Sequence, residues 1–240
     1  MSTQLEARAG FDEEQLSGLP ATLGAERLRI EGVTKRWGKR LVLDSVELSG
    51  RGGELLALIG ANGVGKTTLL RIVAGLIYPE RGTVRFDGLD LRSQRRAYLR
   101  KLGFVSAGQT GLYARLTVQN HLEYWARIAF ISRSGRKAAI EKAVERFELG
   151  ELRGQRVERL SMGQRQRVRL AMSLMHEPSL LLLDEPRTSL DDAGSELLAA
   201  ALRASLAGGA TVIWCAPSVD DPCLEPAGIL RLQEGRVVRA

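Results

Sequence analysis

Cysteine and histidine are nearly missing from this sequence: there are two of each, Cys215 and Cys223, His121 and His176. Two cysteines at that spacing build neither a disulfide framework nor a Cys/His metal cluster, and a reducing compartment is expected. Long apolar runs are missing too. The longest, Leu55–Ile59 and Leu180–Leu183, have strand length, well short of the ~20 residues of a membrane-spanning helix. The start, MSTQLEARAGFDEEQ, has neither the basic opening nor the apolar stretch of a signal peptide. The expected location is therefore cytoplasmic. Lysine is scarce, with six against 29 arginines, and the net charge is +7. Such a balance can serve nucleic acid or anionic lipid. Here the arginines are scattered, and the densest run, Arg92–Lys101, reads as a solvated helix face. No nucleic-acid partner is expected.

What is present is ordinary for a globular chain: 44% apolar and 26% charged residues over 240 positions. Disorder throughout and a collagen-like repeat are excluded. Residues 1–25 carry Glu6, Asp12, Glu13 and Glu14 against Arg8 and end in LSGLPATLG, which predicts a mobile tail. Alternation around Leu28 and Ile30 predicts a half-buried strand, and Leu41–Leu48 continues in that style. Leu55–Ile59 reads as a buried parallel strand ending in a glycine loop. A helix follows from Lys66 and stops at Gly75. Thr83–Phe86 is a further strand, closed by the turn Asp87–Gly88. The middle is helical, over Val118–Ala129, Lys137–Phe147 and Met162–Met175. In the last of these, Val168, Ala171, Met172 and Met175 share a face. Strands return at Leu180–Leu183, Thr211–Cys215, Gly228–Leu232 and Arg236–Val238. The pattern is a β-rich core interrupted by a helical lobe.

Three motifs carry chemistry. The first is the run Gly60, Ala61, Asn62, Gly63, Val64, Gly65, Lys66, Thr67, Thr68. It fits G-x-x-x-x-G-K-[ST] between a strand and a helix, the context of a phosphate loop. Glycines let backbone N–H groups wrap phosphates, and the helix N-terminus adds partial positive charge. Lys66 is placed to reach the β- and γ-phosphates and Thr67 to ligate Mg²⁺. The second is Leu180–Glu185, four leucines followed by Asp184 and Glu185. It delivers two carboxylates to the C-terminal end of a core strand, where open α/β sheets bind ligands. Asp184 suits Mg²⁺ and Glu185 suits a general base for water. The third is Leu160–Gln164, in which Ser161 and Gln164 fit a capping box, and a capped helix start also suits an anion.

In this order, LSMGQ between the phosphate loop and the LLLLDE strand resembles the signature of ABC-type ATPases, and the resemblance spans Leu28 to Val238. It implies an α/β fold, with a P-loop NTPase (RecA-like) core and an antiparallel β-subdomain over 26–106 and 179–240. An α-helical subdomain is inserted at about 107–178, and 26–240 forms one ABC ATPase domain. It further implies ATP and Mg²⁺ as cofactors, bound in a head-to-tail dimer. Ser161 and Gly163, with Gln164 beside them, would face the partner's γ-phosphate. Trp37 matches the aromatic that stacks on adenine, Asn62 the loop asparagine, and Asp191 the residue that couples the two sites. A separate transmembrane permease is implied, with this chain peripheral on the cytoplasmic face of the inner membrane. Residues Leu112–Trp125 would face that permease. The segment LYARLTVQNHLEYWARI resembles the bacterial export branch that moves drugs, lipids, polysaccharides or haem.

Three departures from that family pattern stand out. The histidine usual after the strand Thr211–Cys215 is absent, and the position falls on Ala216, Pro217 or Ser218. His121 reads instead as a surface residue of a helix, and His176 as a helix C-terminal residue favoured by partial positive charge. The glutamine of the loop Val105–Leu112 falls on Gln109, one place late, and is carried over as a contact to Mg²⁺ and water. Arg187 stands where threonine is common. The expected activity is ATP hydrolysis coupled to transport, by a homodimer or a heterodimer. Two alternatives remain: a weakly hydrolysing subunit of an asymmetric heterodimer, and a soluble non-transport ABC ATPase.

Overall fold

A computed structural model describes residues 23–108, 111–218 and 223–239. Two sheets and a helical lobe make up the described chain. The first sheet has the order β2-β1-β4-β5 and is antiparallel throughout. It is built from β1 (Glu26–Trp37), β2 (Arg40–Arg51), β4 (Arg81–Phe86) and the short β5 (Leu89–Asp90). The second has the order β10-β9-β3-β8-β7-β6. It contains β3 (Leu55–Ile59), β6 (Leu102–Val105), β7 (Leu180–Asp184), β8 (Thr211–Ala216), β9 (Gly228–Gln233) and β10 (Arg236–Arg239). Its strands are parallel except β10, which pairs antiparallel with β9.

The strands β3, β7 and β8 are buried along their whole length. That follows from packing on both faces, which leaves no solvent side and so no polar alternation. In β7, Leu181 and Leu183 face a core shared with the helical lobe. Leu180 and Leu182 face the opposite core, with α1 (Lys66–Val73) and the antiparallel sheet. In β8, Val212 and Trp214 join the first core, and Ile213 and Cys215 the second.

The lobe comprises α3 (Val118–Ile128), α4 (Arg136–Arg146) and α5 (Met162–Leu174), inserted between β6 and β7. Two further helices, α2 (Arg95–Leu99) and α6 (Asp192–Ala207), flank the six-stranded sheet. Helices α3, α5 and α6 each open on a side-chain cap, from Thr117, Ser161 and Asp191. α5 has the full capping box, with Gln164 Oε1 accepting from the Ser161 N–H at 2.9 Å and Ser161 Oγ from the Gln164 N–H at 3.2 Å. Among the described residues no helix is long and apolar enough to cross a membrane.

Ahead of β1, Leu23 bridges Gly52 and the Gly24 N–H donates to Gly52 O at 3.0 Å. The room comes from Gly53, where a Cβ would lie 2.4 Å from Leu23 Cδ2. One expectation needs correction here. His121 is not on the surface: it is 1% exposed, inside α3's contact with the segment before it.

Candidate functional site

Strand pairing brings the chemistry-bearing residues to one edge. β8 lies between β3 and β7, with Ile59 opposite Ala216 and Asp184 opposite Cys215. The ends of β3 and β7 therefore lie about 10 Å apart, two strand spacings, at the C-terminal edge of the parallel sheet. Gly60 begins the loop at the first end and Glu185 follows the second.

The loop from Gly60 to Gly65 returns the chain directly into α1. Gly65 is the residue before the helix at φ 122°, a left-handed conformation, and a Cβ there would lie 2.9 Å from Val42 Cγ1. Only glycine fits both demands. Unlike α3, α5 and α6, α1 begins with no side-chain cap, so its first N–H groups face the loop unclaimed by a side chain. Lys66 is 6% exposed. Its ammonium donates to Gly60 O at 2.6 Å and Ala61 O at 3.2 Å, which holds the charge inside the turn. Ala61, Asn62 and Gly63 are exposed, Val64, Thr67 and Thr68 half-buried. Arg40 reaches the rim of this loop, donating to Gly63 O at 3.1 Å.

Asp184 is 2% exposed, and its Oδ2 has no hydrogen-bond partner among the described residues. A buried carboxylate oxygen without a donor is costly unless something positive meets it. Thr67 stands at the start of α1, which packs on β7, and a carboxylate and a hydroxyl are the hard oxygen donors that suit Mg²⁺. No group of three or more His, Cys, Asp or Glu side chains clusters among the described residues.

Glu185 is a non-glycine residue at φ 49°. Left-handed backbone costs about 1–3 kcal/mol at such a residue and persists where surroundings enforce it. Here its N–H donates to Cys215 O at 3.1 Å, fixing the turn to β8. Glu185 lines a small cavity with Ser106, Gly108, Gln166, Arg169 and Ser189. Burial pushes the Cys215 thiol well above its usual range, helped by the Asp184 carboxylate and, more weakly, by Glu185, against an opposing effect of Lys66. Cys215 is fully buried beneath the site.

Ser161 is exposed at the start of α5, with Met162 beside it 57% exposed, and Gly163 and Gln164 half-buried. Gly163 passes the Ser189 carbonyl so closely that a Cβ would sit 2.9 Å from it. Trp37 stands 52% exposed at the end of β1, with the Lys35 ammonium 5.1 Å from its ring centre. Asp191 has a structural task the sequence left unread: its Oδ1 accepts the Gly194 N–H at 2.8 Å and caps α6. Arg187 donates to Ser195 Oγ at 3.4 Å. Gln109, assigned to Mg²⁺ and water, lies outside the described residues.

No imidazole stands after β8, where Ala216 is buried and Pro217 and Ser218 are exposed. His176 follows the end of α5, as expected, but its surroundings disfavour the positive charge expected of it there. It is half-buried against β6, its Nε2 is 3.0 Å from Leu102 O, and burial lowers its proton affinity against the smaller pull of that carbonyl. Gln166 and Arg169 were missed by sequence reasoning. Both are buried, at 6% and 8% exposure, in a helix whose apolar face is elsewhere. With Ser173 they form an i, i+3, i+7 polar stripe, and that stripe was the available signal.

Residues 43–188 match the family model described as ABC transporter. Among curated proteins, the chain is 38% identical over 152 residues to the ABC transporter ATP-binding protein NatA of Bacillus subtilis, covering 63% of this chain and 62% of that one. It is 32% identical over 212 residues to the daunorubicin resistance ATP-binding protein DrrA3 of Streptomyces coeruleorubidus, covering 88% and 66%. It is 33% identical over 223 residues to the phosphonates import ATP-binding protein PhnC of Rhodopseudomonas palustris, covering 88% and 83%. The chain thus spans less than two thirds of the length of NatA and about that share of DrrA3. A solved ATP-binding subunit of an ABC transporter superposes with a TM-score of 0.82 at 25% identity, over 89% of each chain.

Proposed function

We propose a function from one premise: the chain belongs to the ABC transporter family of ATP-binding domains. It binds Mg-ATP at the shared edge of β3, β8 and β7, and hydrolyses it to drive a separate membrane permease. The observation that carries this reading is the buried Asp184 Oδ2, without a hydrogen-bond partner among the described residues, two strands from the Lys66 loop and next to Glu185. When bound, Mg²⁺ supplies charge neutralisation for the transferred phosphoryl group. Thr67 and Asp184 would hold it, and Gln109 is retained as a further ligand. The chain's own residues do the rest. The N–H groups of 60–68 and the Lys66 ammonium bind the phosphates. The Glu185 carboxylate accepts a proton from the attacking water. Trp37 offers one face to adenine. Ser161, Gly163 and Gln164 face the nucleotide of a second domain in a head-to-tail dimer, and Asp191 lies at that junction. The exposed Met162 beside an exposed cap supports such an interface.

The permease side of this reading is supported by a groove between α2 and α3. Leu99, Trp125, Ile128 and Phe130 give it an apolar floor, and Arg96 and Arg100 rim it. Tyr113, Tyr124, Ile128 and Phe130 leave 44–60% of their surface exposed on this lobe. The proposed place of the chain is the cytoplasmic face of the inner membrane. The export direction rests on the segment Leu112–Ile128; DrrA3 is named for drug resistance and PhnC for import.

Glu185→Gln tests the core of the proposal. The variant keeps its shape and loses its base, so hydrolysis falls by about 10²–10⁴-fold while ATP binding persists and ATP-dependent dimers accumulate. Lys66→Ala abolishes binding. Equal turnover in wild type and Glu185→Gln would remove Glu185 from the reaction.

A further inference from the structure

The polar stripe on α5 ties three parts of the site together. Gln166 Nε2 donates to Pro186 O at 2.7 Å, and Pro186 directly follows Glu185. Gln166 Oε1 accepts from Arg169 Nη1 at 2.7 Å. The same Nη1 donates to Gly108 O, and Nη2 to Ser106 O at 2.5 Å and Ser106 Oγ at 3.2 Å. Among the described residues every acceptor of this guanidinium is neutral. Burial alone lowers its proton affinity, with no carboxylate among the causes. A desolvated arginine without an acidic partner is an expensive way to fill space. Its planar fork suits a different task, holding two carbonyls of one loop at a fixed distance from one helix.

We propose that Arg169, with Gln166, is a positioning residue that locks the Ser106–Gly108 backbone, the start of α5 and the turn after Glu185 into one unit. Movement of the α5 N-terminus, where Ser161 sits, then shifts both the loop leading to Gln109 and the backbone beside the catalytic carboxylate. The strut acts through neutral acceptors, the Ser106 and Gly108 carbonyls, the Ser106 hydroxyl and the Gln166 amide, so it transmits displacement and not charge. This role rests on the proposed ATP site for its purpose, but the mechanical link itself does not.

Amide hydrogen exchange on the full chain, without nucleotide, tests the link apart from activity. Arg169→Ala is expected to speed exchange by about tenfold in peptides covering both 102–108 and 184–190, leaving β3 and β9 unchanged. Gln166→Ala is expected to loosen 184–190 without loosening 102–108, because it breaks the relay at its second joint. Arg169→Lys, which keeps charge and part of the donor set, is expected to restore 102–108 partly. Uniform acceleration across the molecule, or acceleration confined to α5, would overturn the proposal. Steady-state kinetics add a second readout in wild type that turns over: kcat falls by about tenfold in Arg169→Ala with KM for ATP unchanged. A change in KM alone would overturn the coupling to Glu185. A wild type without turnover would count against the hydrolysis reading, and the exchange pattern would still decide the strut.

Discussion

His121 shows how much one buried side chain can depend on its tautomer. Its Nδ1 lies 3.0 Å from Thr117 O and must donate. Its Nε2 accepts the Tyr113 N–H at 2.8 Å, and the two rings stack at 6.1 Å. Only the neutral Nδ1–H form satisfies both partners. Burial lowers the affinity of this ring for a proton, and the Thr117 carbonyl offsets part of that. The folded value thus lies below the ordinary 6.5. The unfolded chain takes up the proton first, so stability from this group is complete above pH 6.5 and is lost as pH falls through the folded value. His176 is shifted in the same direction. Thermal unfolding of wild type between pH 8 and 5 should show Tm falling toward acid, with a shallower fall in His121→Gln. Identical slopes would mean that His121 contributes nothing. In the sequence this histidine was unreadable. It sits between polar Asn120 and apolar Leu122, and its partners are backbone groups that leave no trace in side-chain pattern. The placement of Lys66, Asp184 and Glu185 at strand ends was readable because a strand, a glycine loop and a helix, or a strand and an acidic pair, follow one another directly in the sequence.

Elements were legible where their packing was local or complete. The leucine run of β7 and the S-x-x-Q start of α5 each read directly into structure. β6 was not read: Leu102–Val105 is a four-residue edge strand containing Gly103, and it exists because β7 offers a pairing edge. The full lengths of β1 and β2 were hidden because repeated register shifts break their alternation. Between these elements lies an ion-pair joint that sequence spacing could not reveal. Arg27 on β1 holds Asp87 through two bonds of 2.7 Å, and Lys101 after α2 adds a third of 2.7 Å. Arg27 also donates to Gly209 O at 2.5 Å, so the joint ties the antiparallel sheet to the turn before β8. Burial raises the Asp87 pKa, but the bonds from Arg27 and Lys101 outweigh it and hold the value below 3.8. Stability from Asp87 is therefore complete above pH 3.8 and is lost as pH falls through the depressed value. Asp87→Asn leaves Arg27, 8% exposed at its side chain, without its counter-charge. The expected loss at pH 7 is about 2 kcal/mol, or about 4–8 °C in Tm. The gap between wild type and variant should close as pH falls below 3.8. A gap that persists unchanged in acid would show that the cost lies in packing.

At the scale of the whole molecule, the proposed nucleotide site brings together the Lys66 loop, Asp184 and Glu185 but no histidine. The two histidines are committed elsewhere, His121 to Tyr113 and Thr117 and His176 to Leu102. Neither is free to meet a phosphate from the end of β8, where Ala216, Pro217 and Ser218 stand. Loss of one positioned donor typically costs about 10²–10³ in rate. A homodimer would suffer that loss in both of its sites. A heterodimer escapes it in one, since the intact Ser161–Gln164 segment of this chain would serve a partner's loop while the partner supplies the histidine. The two assemblies differ in what they carry out of the membrane. Chain tagged in its native host, with membranes solubilised in mild detergent, should bring down a polytopic membrane protein. In the asymmetric case a second, histidine-bearing nucleotide domain comes with it, and the complex should hydrolyse ATP about 10²-fold or more faster than this chain alone. Ordinary turnover by the isolated chain would show that the omission is harmless and would remove the reason for a partner domain. Recovery of only ribosomal or DNA-associated proteins would leave the arginine-rimmed groove without a permease to serve, and would move the chain to the soluble branch of its family.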